Sequence, residues 1–115
     1  MNAPADPPKV LVQELYRQAA VELCAGHPEI ETTRMFGSDG LKAAGKTFAM
    51  VTRGRLVVKL PRDRVGHLVG TGAAERFDPG HGRLMTQWVS LLPADPDTCR
   101  DLMAEALAFV TANAA

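Results

Sequence analysis

The chain predicts an α+β fold: an antiparallel β-sheet meander packed by N-terminal and C-terminal helices, with a short helix inserted mid-chain. Three observations carry this expectation. Apolar residues recur at helical spacing near both ends of the sequence. Between those ends, short runs of alternating apolar residues are separated by glycine-containing turns. The runs follow one another too closely for parallel pairing, which needs crossovers of about a dozen residues.

Residues 1–8 read as a flexible leader, and residues 9–115 as a single domain. Asp6-Pro7-Pro8 reads as a helix cap with proline in the first turn. A helix is expected over residues 9–25. Val12, Leu15, Tyr16, Ala19 and Leu23 form its apolar stripe, and Gly26 and Pro28 stop it. Residues 29–33 read as a connector. The first strand is expected at Arg34-Met35-Phe36, followed by a turn at Gly37-Ser38-Asp39-Gly40. A second strand is expected over residues 41–44, and Gly45-Lys46 turns the chain. A third strand is expected over residues 47–52, with Phe48, Met50 and Thr52 on one face and Ala49 and Val51 on the other. Arg53-Gly54 is the next turn, and a fourth strand covers residues 55–60.

Pro61 opens a short helix whose inner edge is Val65, Leu68 and Val69, closed by Gly70-Thr71-Gly72. Arg76-Phe77 reads as a brief edge strand, and Asp78-Pro79-Gly80-His81-Gly82 as a turn. Residues 83–92 read as a strand that Pro93 breaks. Its Met85, Gln87, Val89 and Leu91 lie on one side, and Leu84, Thr86, Trp88 and Ser90 on the other. Asp95-Pro96 repeats the cap-and-proline signal before a last helix with Cys99, Leu102, Met103, Ala106, Phe109 and Val110 on its apolar stripe.

At 115 residues and 46% hydrophobic, the chain is long enough to bury one core. No apolar run reaches the ~18 residues of a membrane-spanning helix. The first residues lack the basic and apolar regions of a signal peptide, so a cytoplasmic location is expected. Cys24 and Cys99 are the only cysteines. Both fall on apolar faces of the expected helices and read as free buried thiols rather than a disulfide.

Net charge is zero, but its distribution is uneven. Between Thr32 and Ser90 there are 10 basic residues against 4 acids, whereas the two ends carry 9 acids against 3 basic residues. Either the sheet cations pair with helix acids inside the fold, or a basic sheet surface meets an anionic partner. Internal pairing is the simpler of the two, because a dedicated nucleic-acid domain carries net positive charge. If nucleic acid or another anion is bound, the contacts expected are Arg34, Lys42, Lys46, Arg53, Arg55 and Lys59.

Residues 40–47, Gly40-Leu41-Lys42-Ala43-Ala44-Gly45-Lys46-Thr47, match the phosphate-loop pattern G-x-x-x-x-G-K-[ST]. A phosphate loop needs a helix directly behind it, because the helix N-terminus helps hold the phosphates. The residues that follow alternate as strands instead, and no strand-end acid is placed to orient Mg²⁺. The match is therefore expected to be a hairpin turn.

Residues 46–51 are loosely similar to an RNA-binding strand. Met50 and Arg53 stand where that module places stacking aromatics, and 5% aromatic content supplies too few of them. His27, His67 and His81 have neither metal-ligand nor catalytic spacing. Trp88 reads as a core or subunit-interface anchor.

Met35-Phe36-Gly37, Gly40-Leu41, Gly45-Lys46 with Phe48-Ala49, Leu56 with Lys59, Phe77, and Met85 with Trp88 together resemble the N-terminal domain of the TfoX/Sxy family of competence regulators. The resemblance covers about half the chain. It implies a small α+β domain with no known cofactor and no established catalytic residues. It also implies a role as a transcription-regulating or protein-interaction module, with a partner in the transcription machinery and with DNA nearby. Those regulators carry a second, helical domain. This sequence ends at Ala115, so a stand-alone domain is expected. The YjbR/MmcQ-like proteins share the architecture and are a second home for the chain. Two other readings remain at this stage. One is a small-molecule-binding protein or enzyme of unknown substrate using Lys46, His81 or Arg83. The other is a subunit that forms a homodimer through its sheet or the Trp88 region.

Overall fold

The computed structural model describes residues 8–35, 38–79, 82 and 84–112. Along the chain these form α1 (Pro8–Gly26), β1 (Glu31–Met35), β2 (Ser38–Ala43), β3 (Lys46–Thr52), β4 (Arg55–Lys59), α2 (Arg62–Gly70), β5 (Glu75–Arg76), β6 (Trp88–Leu91) and α3 (Pro96–Ala112). The strands make one six-stranded sheet in the order β1-β2-β3-β4-β6-β5, and every pairing is antiparallel. The α+β class, the meander and the inserted helix are as the sequence predicts.

The register decides which residues share a face. Ala49 pairs with Val58, Val51 with Leu56, Leu56 with Leu91, and Val58 with Val89. These residues form one core with Leu41 and with Val12, Leu15, Tyr16, Ala19 and Leu23 of α1. Val65 of α2 and Cys99, Leu102, Met103, Ala106, Leu107 and Val110 of α3 complete it. All three helices thus bury their apolar residues on the same side of the sheet. The opposite face has no helix. It carries Gly40, Lys42, Met50, Arg55, Val57, Lys59, Trp88 and Ser90, with Gly40, Met50, Val57 and Ser90 in line across four strands.

Phe48 departs from the expected alternation. Leu41 pairs with Ala49 and Lys42 with Thr47, so Phe48 is an extra residue in β3. Such a bulge shifts the side-chain phase by one. Phe48 and Ala49, adjacent in sequence, therefore both enter the core with no exposed surface. Gly40 sits across from this irregularity. A Cβ there would lie 3.2 Å from the Ala49 carbonyl oxygen and 3.3 Å from Thr33 Cγ2, so the close approach of the strands favours glycine.

Several expected boundaries move. β1 begins at Glu31, because Thr32-Thr33, read as connector, is a β-branched pair that ladders with β2. Ser38, Asp39 and Gly40 belong to β2 rather than a turn, while Phe36 and Gly37 lie outside the described residues. Helix α1 runs one residue beyond the expected span at each end, and its expected cap, Asp6, is not among the described residues. The edge strand β5 is Glu75–Arg76, although Phe77 still donates its N–H to Trp88 O.

The largest correction concerns residues 83–92, of which only Trp88–Leu91 is a strand. Leu60 N–H bonds to Gln87 O, and the partnering segment then leaves the ladder at Pro61 and turns into α2 at Arg62. Residues 86 and 87 turn instead, and Met85 N–H bonds to Phe77 O. The assignment of Val89 and Leu91 to the core side, and of Trp88 and Ser90 to the other, holds.

Helix α3 opens as the sequence indicates. Asp95 Oδ1 accepts the Thr98 N–H at 2.7 Å. Both cysteines are free thiols; Cys99 is buried, while Cys24 is only half-buried.

Candidate functional site

The phosphate-loop match is a β-hairpin. Ala44 and Gly45 are its central residues, with φ of 54° and 76°, and Lys46 already belongs to β3. The turn thus sits one residue earlier than Gly45-Lys46. Positive φ at both central positions is the geometry that continues the twist of paired strands. Lys46-Thr47 leads into a strand, so no helix N-terminus faces the loop and its phosphate-binding arrangement is not built.

The six cations expected to contact an anion do not form one patch. Arg34 lies in β1 opposite Asp39, and the two form an ion pair at 3.1 Å. Arg53 sits in the β3–β4 turn and donates to Asp78 O at 3.1 Å. Arg55 donates to Ser90 Oγ at 2.7 Å and to Ser90 O at 3.2 Å. These three arginines occupy one end of the sheet. Lys42, Lys46 and Lys59 occupy the other end, about 10–20 Å away by the rise of the strands. None of these lysine side chains forms a hydrogen bond or ion pair with any described residue.

Internal pairing with helix acids is thus realised only in part. Among the described residues, Arg64–Glu105 at 2.7 Å joins a cation of the central segment to an acid of a terminal helix. The other helix acids pair within or between helices, as in Glu14–Arg17, Glu22–Arg100 and Asp97–Arg100. At the lysine end Glu31 stands across the ladder from Lys42, but no described acid forms an ion pair with any of the three lysines.

Two grooves open at that end. One, of about 330 Å³, is lined by Lys46, Lys59, Gln87, Phe109 and Val110. The other, also about 330 Å³, is lined by Lys59, Leu84, Met85, Thr86, Gln87 and Trp88. Lys59 Nζ stands 6.0 Å from the centre of the Trp88 ring, within cation–π range. Leu84 is 58% exposed and Met85 37%, both large apolar side chains turned toward solvent. The sequence reading missed these two because alternation placed them inside a strand. The Pro61 stop on the partnering segment was the available signal.

Trp88 is half-buried on the helix-free face, not in the core. Lys46 is described, but His81 and Arg83, grouped with it as a cleft, lie outside the described residues. His27 lies 3.5 Å from Glu29, and His67 is on α2, so these two histidines are not brought together. No group of three or more His, Cys, Asp or Glu among the described residues could hold a metal ion. No described helix is long and apolar enough to cross a membrane.

A further groove, of about 500 Å³, lies between α1 and the sheet, lined by Leu11, Gln13, Glu14, Tyr16, Arg17, Asp39 and Val51. Burial, helped by the Asp39 carboxylate, pushes the Tyr16 hydroxyl above its ordinary range and keeps it neutral. Its charged rim is already spoken for, since Arg17 bonds Glu14 and Asp39 bonds Arg34. The lysine end is therefore the better candidate for recognition.

The sequence model of the TfoX N-terminal domain matches residues 22–110, which take in the whole sheet, α2 and most of α3. No curated protein and no solved structure matches the chain.

Proposed function

The chain belongs to the TfoX N-terminal domain family, and from that premise we propose that it is a non-enzymatic regulatory module that binds another protein. The contact is made at the end of the sheet where Lys42, Lys46 and Lys59 stand. One observation carries this: three lysines without acid partners share that end with the exposed Leu84 and Met85 and the half-buried Trp88. Cations interleaved with apolar side chains suit a protein surface, where desolvated anchors sit inside a polar rim. The regulatory part rests on the resemblance to competence regulators.

DNA is the second reading, supported by the three unpaired lysines alone. Phosphate contacts need charge and no apolar surface, and Glu31 stands directly across the ladder from Lys42. The helix-free face is therefore only weakly basic.

A photo-crosslinking residue placed at Met50, half-buried at the centre of the helix-free face, tests both readings in the native host. The same residue at Val21, exposed on α1, is the control. A protein adduct at Met50 that survives nuclease and is missing at Val21 supports the proposal. A nuclease-sensitive adduct supports DNA instead. No adduct at Met50, or equal adducts at both positions, contradicts the proposal.

A further inference from the structure

Resting on the interaction-module reading, we infer that the two grooves at the lysine end together seat one peptide segment of a partner, acidic and carrying apolar side chains. The grooves share Lys59 and Gln87, so they run on from one another rather than forming separate pockets. The described residues that line them include two cations and no carboxylate. An anionic occupant is thus the one that satisfies Lys46 and Lys59. The walls supply the second half of the argument. Phe109 and Val110 of α3 line one groove, and Leu84, Met85 and Trp88 line the other. Leu84 and Met85 would be left in water by a purely charged ligand, so the segment must bring apolar side chains to cover them.

The arrangement fits an extended or helical segment better than a small molecule. Both grooves are open to solvent rather than enclosed, and each combines polar with apolar lining residues. Lys59 occupies the junction, where its position over Trp88 leaves the ammonium beside an apolar surface. An acidic side chain at the junction would meet that ammonium in a partly desolvated setting, where charge contacts are stronger than in open water.

Trp88 is the only tryptophan in the chain, so its emission reports directly on this site. The probes are synthetic peptides without tryptophan: one alternating Glu and Leu, one all-Glu of equal length, and one alternating Lys and Leu. A short DNA duplex is the fourth probe. The expected result is a saturable shift of Trp88 emission with the Glu-Leu peptide, at least about tenfold weaker with the all-Glu peptide, and none with the Lys-Leu peptide. Lys46→Glu and Leu84→Asp, at exposed positions that leave the core untouched, should each weaken the Glu-Leu peptide by about tenfold or more.

Equal binding of all-Glu peptide or DNA would overturn the inference, because charge alone would then explain the site. So would an emission change that tracks self-association in sedimentation, which would make the occupant a second copy of the chain. A silent Trp88 with an intact nuclease-resistant Met50 adduct would retire the grooves but keep the interaction module. Loss of both would retire both.

Discussion

Lys59 and Trp88 are direct partners across the β4–β6 ladder, and the Lys59 ammonium lies 6.0 Å from the Trp88 ring centre. The pair places a positive charge beside an aromatic surface at one end of two inner strands of the sheet. Contacts of this kind contribute about 0.5–1 kcal/mol where solvent reaches them. The consequence here is mainly positional. Lys59 stands where both grooves meet.

The two tight hairpins carry non-glycine residues in left-handed backbone. Ala44 has φ 54° and Arg53 has φ 56°, each followed by a glycine with φ near 75°. Asparagine tolerates this region better than alanine, and Asn-Gly is the favoured pair for such turns. Ala44→Asn should raise stability by about 0.5–1 kcal/mol, a rise in Tm of about 2–5 °C by calorimetry. Gly45→Ala should do the reverse, costing about 1–2 kcal/mol, since its φ of 76° suits glycine and nothing else opposes a Cβ there.

The bulge at Phe48 makes a test that simple alternation would get wrong. Alternation groups Phe48 with Met50, whereas the register sends Phe48 into the core and leaves Met50 half-buried on the other face. Phe48→Ala should cost about 3–5 kcal/mol. Phe48→Lys should abolish the folded circular dichroism spectrum, while Met50→Lys should leave it unchanged. Similar behaviour of the two lysine variants would refute the bulge.

These two sites mark how far the sequence could be read. The helical stripes were legible because their residues repeat over about three turns; Val12, Leu15, Tyr16, Ala19 and Leu23 are all buried. The strands were legible in number and order from their turns. Phe48 was not, because a bulge is a property of two strands at once and leaves no mark in the sequence of one. The Leu84-Met85 segment was misread because period-two patterning cannot tell a strand from an extended loop. Among the cations, type and number were visible, but the split into bonded arginines and unbonded lysines depends on the cross-strand partners Asp39 and Ser90 and on the β5–β6 connection that brings Asp78 to Arg53.

Asp95 links acidity to stability. The Thr98 backbone N–H, with the Thr98 hydroxyl second, holds its carboxyl below the usual carboxylate range. A depressed folded pKa contributes stability that is complete above the unfolded value and fades as pH falls through the folded one. Asp95→Asn still caps α3 but does not titrate. The difference in Tm between wild type and Asp95→Asn should therefore favour wild type at neutral pH and shrink in acid below the ordinary Asp range. A difference that stays constant with pH would contradict the assignment.

The two thiols should differ in reactivity. Burial pushes the Cys99 thiol up to about 11, and its Sγ lies 3.7 Å from Met103 Sδ inside the core. Cys24 is only half-buried. At pH 8 an aromatic disulfide reagent should titrate Cys24 in the folded protein and reach Cys99 only as the chain opens, so Cys24→Ser should leave a single slow phase. A fast phase in Cys24→Ser would show that α3 is looser than described.

The sharpest test compares the two ends of the sheet in the Met50 crosslinking assay. Lys42→Glu, Lys46→Glu and Lys59→Glu combined should cut the nuclease-resistant adduct at least about tenfold, with folding verified by circular dichroism. Arg53→Gln, whose guanidinium already donates to Asp78 O at the far end, should leave the adduct at its wild-type level. An adduct indifferent to the three lysines, or lost with Arg53→Gln instead, would contradict a partner seated at the lysine end.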